Sequence, residues 1–185
     1  MQISQSIRWI LDPQTRWGIF RNRPYRAYVQ IADPEQVYNV AGRPGVVYNY
    51  LEDACEPVSP GGYVITGAVG EMWPIGPESI EKYDISPADV TAEPQPAMTR
   101  AMPALWAGVM IPAETEFTVT AQYGDQETVL TGNRPGIPHG RGDWVLVRTV
   151  TENGIVRPDL TGSGRVINGK SFGVIYRPVA MHIFG

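Results

Sequence analysis

The chain has 185 residues, enough for one good hydrophobic core or two small ones, and its 43% hydrophobic content is too high for a disordered polymer. A formal net charge of −4 lacks the basic excess that neutralising a phosphate backbone requires, so nucleic acid is a disfavoured partner. Cys55 is the single cysteine, which excludes an intrachain disulfide and any multi-cysteine metal site and fits a reducing, cytoplasmic compartment.

The elements follow in chain order. Ile3, Ile7, Ile10 and Leu11 recur at helical spacing, with Ser4 and Ser6 available as caps and Asp12-Pro13 as the stop, so one short amphipathic helix is predicted at the start. Arg8 and Asp12 interrupt this stretch, which is expected to be neither a signal peptide nor a membrane anchor. From Trp17 onward the apolar residues come in short bursts broken by Pro, Gly, Asn or Asp: Gly18–Phe20, Ala27–Ile31, Val37–Val40, Val46–Leu51 and Tyr63–Thr66. That is the pattern of strands and turns. The 20 glycines and 17 prolines exceed the usual combined share of about 12%, and they belong to these turns. In Gly76–Tyr83, a proline at the first helical position followed by acids predicts a single helical turn.

Ser86–Ala97 contains three prolines and no aromatic residue, and it reads as an extended, exposed connector. Further strand-like bursts follow at Trp106–Ile111, Glu116–Ala121, Glu127–Thr131, Trp144–Val150, Gly164–Ile167 and Phe172–Tyr176. Phe117 and Val119 alternate with Thr118 and Thr120, as in a strand with one buried and one wet face. Trp144-Val145-Leu146-Val147 is apolar on both faces and is predicted to be a central strand. Asn153-Gly154 and Asn168-Gly169 are predicted hairpin turns, because both residue types accept positive φ.

Two stretches repeat. Arg23–Val40 can be laid on Met102–Val119 without a gap, at an offset of 79, so that Pro24 meets Pro103, Glu35 meets Glu114 and Tyr38 meets Phe117. Gly62-Tyr63-Val64-Ile65 then falls on Asp143-Trp144-Val145-Leu146 at an offset of 81. The nearly constant offset suggests duplication. The expected fold is mostly β: two tandem, divergent small β domains with one or two short helices. Their predicted limits are 1–86 for the first repeat with its N-terminal helix, 87–101 for the connector and 102–185 for the second repeat.

The string Pro60-Gly61-Gly62-Tyr63-Val64-Ile65-Thr66-Gly67, continued by Gly70-Glu71-Met72-Trp73-Pro74-Ile75 and closed by Ile80-Glu81-Lys82-Tyr83, resembles a small bacterial and bacteriophage family marked by a PGDYG-like motif. In the second repeat Gly142-Asp143-Trp144 restores the Asp that Gly62 replaces, whereas Arg141 stands where the motif has proline and no Gly-Glu-x-Trp-Pro follows. The family is a domain of unknown function, so the resemblance implies a small β-rich domain in a phage or prophage setting and no particular reaction.

Five residues stand out as candidates for a site. Glu71, beside Trp73, is either an acid or base with a raised pKa or, more simply, a hairpin carboxylate accepting backbone N–H bonds. His139, Arg141 and Asp143 share a glycine-rich loop and either bind an anion or merely shape the turn, with Asp143 capping its own backbone. Trp73, before a proline, is the residue expected to be exposed for partner contact, while Trp9, Trp17 and Trp106 are expected to pack. The second histidine, His182, lies in an apolar C-terminal run, and two histidines with one cysteine at these spacings make no metal site. No cofactor is expected. These features favour a non-enzymatic phage- or prophage-type binding or accessory protein that contacts a host protein or a small ligand through its turns and the groove between repeats. The alternatives are an enzyme acting on a small phosphorylated or nucleotide-like substrate, with Glu71, His139, Arg141 and Asp143 as participants, and a structural component of a virion or secretion apparatus. The sequence does not fix the oligomeric state.

Overall fold

A computed structural model describes residues 2–123 and 126–179; His182 lies outside the described residues. The fold is mostly β, 41% strand against 13% helical. The chain divides into two units: Pro24–Ala101 form one, and the segments on either side, up to Arg23 and from Met102 onward, together form the other.

In the contiguous unit the strands are β2 (Arg26–Ile31), β3 (Val46–Asn49), β4 (Ala54–Pro57), β5 (Tyr63–Thr66), β6 (Met72–Ile75) and β7 (Gln95–Met98). An antiparallel sheet runs in the order β6-β5-β2-β7, and β3 and β4 form a separate hairpin. Period-two alternation decides the faces: Ala27 and Val29 are fully buried between the exposed Arg26 and Tyr28. Ala27, Val29, Tyr63, Ile65 and Ala97 form one cluster with Ile80, Tyr83 and Val90, while Val64 packs with Ala32 and Val47 in another. The 310 turn Pro77–Lys82 starts on its proline as the sequence predicts, and its Ile80 joins the core.

The other unit holds β1 (Gly18–Asn22), β8 (Leu105–Met110), β9 (Phe117–Tyr123), β10 (Gln126–Gly132), β11 (Trp144–Glu152), β12 (Ile155–Pro158), β13 (Gly164–Ile167), α1 (Gly169–Ile175) and β14 (Tyr176–Pro178). Its main sheet runs β12-β11-β8-β1-β14, with β13 also on β11, and β9–β10 form a long hairpin. Phe117 and Val119 are buried beneath that hairpin, and β11 is the buried central strand that its apolar run predicts. One sheet face carries Val109 and Val145 with Ile7, Ile10, Phe117 and Val119; the other carries Phe20, Trp106, Leu146, Phe172 and Tyr176. On the second face Trp144 and Phe172 stack at 3.9 Å with planes 6° apart, and Phe20 meets both edge-on.

Several expectations are corrected. Segment 87–101 is largely exposed but is no free connector: β7 hydrogen-bonds along β2, and Val90 and Ala97 are core residues. Pro94 lies just before β7, and Pro96 within it is tolerated because β7 is the last strand of its sheet path, where a missing N–H leaves the ladder to β2 intact. The limits 1–86 and 102–185 do not describe the compact units either, since residues up to Arg23 belong with the segment from Met102 and the other unit extends to Ala101. The N-terminal helix is a 310 helix, Gln5–Leu11, kinked at Ile7, and its Trp9 is 48% exposed rather than packed. Asn153-Gly154 makes its hairpin turn with both residues at positive φ, but Asn168-Gly169 does not; Asn168 instead caps α1, accepting from the Lys170 N–H. Consequently Phe172–Ile175 are helical rather than extended.

The two sheets share a register. Ile31 pairs with Tyr63 and Met110 with Trp144, and these four residues are related by the offsets 79 and 81. Thereafter Val29 pairs with Ile65, and Gly108 with Leu146. No helix of the described residues is long and apolar enough to cross a membrane.

Candidate functional site

Four of the five candidate residues are placed by tight turns. In the 24–101 unit, Gly70 at φ 85° closes the β5–β6 turn and delivers Glu71 inward, where it is 4% exposed. Its Oε2 accepts the Val69 N–H at 2.9 Å and its carbonyl accepts the Gly67 N–H at 2.7 Å. Tyr50 donates its hydroxyl to the Val69 carbonyl at 2.8 Å, which ties the turn down. The Glu71 side chain and the Trp73 ring both lie against Gly67, a position where any Cβ would collide with them. Burial raises the Glu71 pKa, and the backbone N–H bonds oppose that rise only in part. Trp73, expected to be exposed for partner contact, is half-buried, with part of its ring packed against the Ala27–Val29 cluster.

In the other unit, His139 and Asp143 are buried and meet at 2.8 Å between Nδ1 and Oδ1. The same Oδ1 accepts the Gly169 N–H at 2.9 Å, and Oδ2 accepts the Asn133 N–H at 2.8 Å. His139 Nε2 lies 2.7 Å from the Arg134 carbonyl, which can only accept, so that nitrogen carries a proton. Asn133, at φ 52°, donates Nδ2 toward the carbonyls of Ile111, Pro112 and Thr115 and accepts the Asp143 N–H on Oδ1. Asn168 donates Nδ2 to the Pro138 carbonyl. The network thus joins the end of β8, the 133–143 loop and the start of α1. Arg141, in contrast, is exposed. Glu71 and the His139 group lie in different units.

Asn133 and Asn168 escaped sequence reasoning, because an asparagine in a glycine-rich loop reads as an ordinary turn residue. A second missed group is Arg148 and Arg165. Their guanidinium carbons lie 4.1 and 4.7 Å from the centroid of the Trp106 ring. Arg148 was legible as the residue two past Leu146 on one face of β11; nothing local marked Arg165.

Among the described residues no group of three or more His, Cys, Asp or Glu side chains could hold a metal ion. Comparison with protein-family models, curated proteins and solved structures returned no match. The likeness of Pro60–Tyr83 to the PGDYG-like family therefore rests on those residues alone.

Proposed function

We propose that the protein is a non-enzymatic binding or accessory protein of phage or prophage type, acting on a host protein or a small ligand. The observation that carries the binding reading is the commitment of the polar groups that would otherwise do chemistry. Both ring nitrogens of His139 and both oxygens of Asp143 hold neighbouring backbone or each other, and the Glu71 carboxylate holds its own turn. A general acid or base needs a free position within reach of a substrate proton, and residues engaged in this way support architecture instead. The phage setting is supported by the family resemblance only.

A second reading, an enzyme for a small phosphorylated substrate, draws support from Arg148 and Arg165 at Trp106, neither of which makes an ion pair among the described residues. Incubation with a panel of phosphomonoesters and nucleoside phosphates, followed by 31P NMR, separates the two. The binding reading expects no product from any of them, whether or not their signals shift. Catalytic conversion of any of these compounds would replace it with the enzymatic one.

A further inference from the structure

We propose that Arg148 and Arg165, set around Trp106, form a binding site for a phosphate dianion, either free or carried as a phosphomonoester. The site follows from strand alternation. Arg148 stands opposite Trp106 in the β11–β8 register, and Arg165 of β13 stands opposite Leu146, two residues before Arg148 and on the same face. Trp106 is 2% exposed and its Nε1–H donates to Asn22 Oδ1 at 3.1 Å, so the indole is a fixed base for both guanidinium groups. The arginines themselves are exposed.

Two cations on one ring repel each other. Sharing one ring centroid at 4.1 and 4.7 Å, they are at most about 9 Å apart, roughly one Debye length at physiological ionic strength, so solvent ions screen the repulsion only in part. Each arginine gains a cation–π contact with the indole, and an arriving anion would relieve the repulsion between the two. Ion pairs form at His139–Asp143 and Arg157–Glu152, whereas among the described residues neither guanidinium at Trp106 has a carboxylate partner. This holds in a chain whose acids outnumber its Lys and Arg, 19 to 15. Tyr176 reports the local field: burial raises its pKa, while Asn22, Arg165 and Arg148 act against that rise. Two planar forks offer more N–H donors, and twice the charge, that a single carboxylate requires, which selects a doubly charged tetrahedral oxyanion.

The inference deepens the binding reading by naming a ligand class. Titration of the full chain with inorganic phosphate and, separately, with adenosine monophosphate should give saturable binding by calorimetry. Arg148→Gln or Arg165→Gln should weaken it about tenfold or more, whereas Arg157→Gln, an exposed arginine on β12, should not. Saturation by phosphate alone identifies the free ion as sufficient; saturation by the nucleotide only identifies an ester. Absence of binding to both, or binding indifferent to Arg148 and Arg165 in variants with unchanged circular dichroism, overturns the site. Turnover of the nucleotide would leave the site standing and overturn the non-enzymatic reading.

A separate observation carries a second inference. We infer that the chain is a tandem duplication in which each half donates its first strand to the other. Arg26 of β2 pairs with Met98 of β7, and Leu105 of β8, its equivalent at offset 79, pairs with Arg21 of β1. Tyr83, after the helical turn, bridges Thr99, just as Tyr176, after α1, pairs with Asn22. Even the flanking bonds correspond: the Arg100 N–H donates to the Lys82 carbonyl, and the Arg23 N–H to that of Ile175. Thus β1 directly precedes β2 in the chain yet serves β8, while β7 directly precedes β8 yet serves β2.

Cross-linking a nicked chain tests the exchange. In a Cys55→Ser background, a protease site is inserted after Ala88, within the exposed stretch 86–89. Ala27→Cys with Ala97→Cys, at paired positions, should then join the two fragments after cutting and oxidation. Ile19→Cys with Tyr28→Cys, both in the first fragment, would form an internal disulfide only if β1 stayed with its own half, so both thiols should remain open to alkylation after oxidation. The reverse pattern overturns the inference.

Discussion

Asp143 receives His139 on the same carboxylate oxygen that takes the Gly169 N–H, so one buried acid fixes both a loop and the start of α1. Removing it strands the Asn133 and Gly169 N–H donors and takes away the partner of His139 Nδ1. Asp143→Ala is expected to cost about 3 kcal/mol or more, since each buried donor left without a partner costs about 1–3 kcal/mol. For a unit of this size that is a fall in melting temperature of roughly 10 °C or more. Arg141→Ala, two residues away and exposed, should change stability by no more than about 0.5 kcal/mol. Thermal unfolding of the two variants checks this, and equal midpoints would show that the network is not structural.

Glu71 should make stability pH-dependent. Its folded pKa lies above the ordinary carboxylate value because burial disfavours the charge. The native state therefore holds a proton that the unfolded chain has released, and stability falls as pH rises from the unfolded pKa through the folded one. Above that window the penalty is constant. Glu71→Gln keeps an acceptor for the Val69 N–H without the charge, so its stability curve should be flatter across the window and its midpoint at neutral pH no lower than that of the parent. Urea unfolding between pH 4 and pH 7 measures both, and a larger pH dependence in the variant would contradict the assignment.

How much of this was legible depended on whether the signal was local. Phe117 and Val119 announced a half-buried strand because alternation is decided within a few residues, and Asn153-Gly154 announced its turn for the same reason. Asn168-Gly169 carries the identical dipeptide, but Asn168 binds the Pro138 carbonyl and Gly169 binds Asp143, contacts 30 and 26 residues away that make it a cap. Ala97 looked like linker because Pro94 and Pro96 flank it; only pairing with Ala27, far back in the chain, makes it core. Glu71 was legible as a hairpin carboxylate from its glycine neighbours. The convergence of Arg148 and Arg165 required the β11–β13 register, which no local pattern specifies.

Trp73→Ala distinguishes a core residue from a contact residue. The ring packs against the Ala27–Val29 cluster and over Gly67. Truncation of a buried tryptophan costs about 3–5 kcal/mol, and a half-buried one falls toward the lower end. The expected result is a clear loss in denaturant midpoint with an unchanged slope. A variant as stable as the parent would return Trp73 to the surface.

Ser171 has the opposite character. Its Oγ is buried in α1 with no hydrogen-bond partner among the described residues. An orphaned hydroxyl costs about 1–3 kcal/mol, and alanine removes it at small loss of packing while favouring helix. Ser171→Ala should therefore be neutral or stabilising in thermal unfolding, and a loss above about 1 kcal/mol would mean that the hydroxyl has a partner after all.

The division of the chain predicts which fragment folds. Residues 24–101 contain β2 through β7 and both of that unit's apolar clusters without a break. Residues 1–86, the division suggested by the sequence repeat, keep β1 but lack β7 and leave one edge of β2 unpaired, with Val29 and Ala27 uncovered on the Ala97 side. Domains of this size are marginal, so the loss of one strand and of the Val90 and Ala97 contacts is decisive. The 24–101 fragment should give a dispersed amide spectrum and a cooperative melt, whereas 1–86 should be disordered or aggregate through its open edge. If 1–86 folded cooperatively and 24–101 did not, β7 would not belong to the first sheet, and the exchange of strands would fall with it.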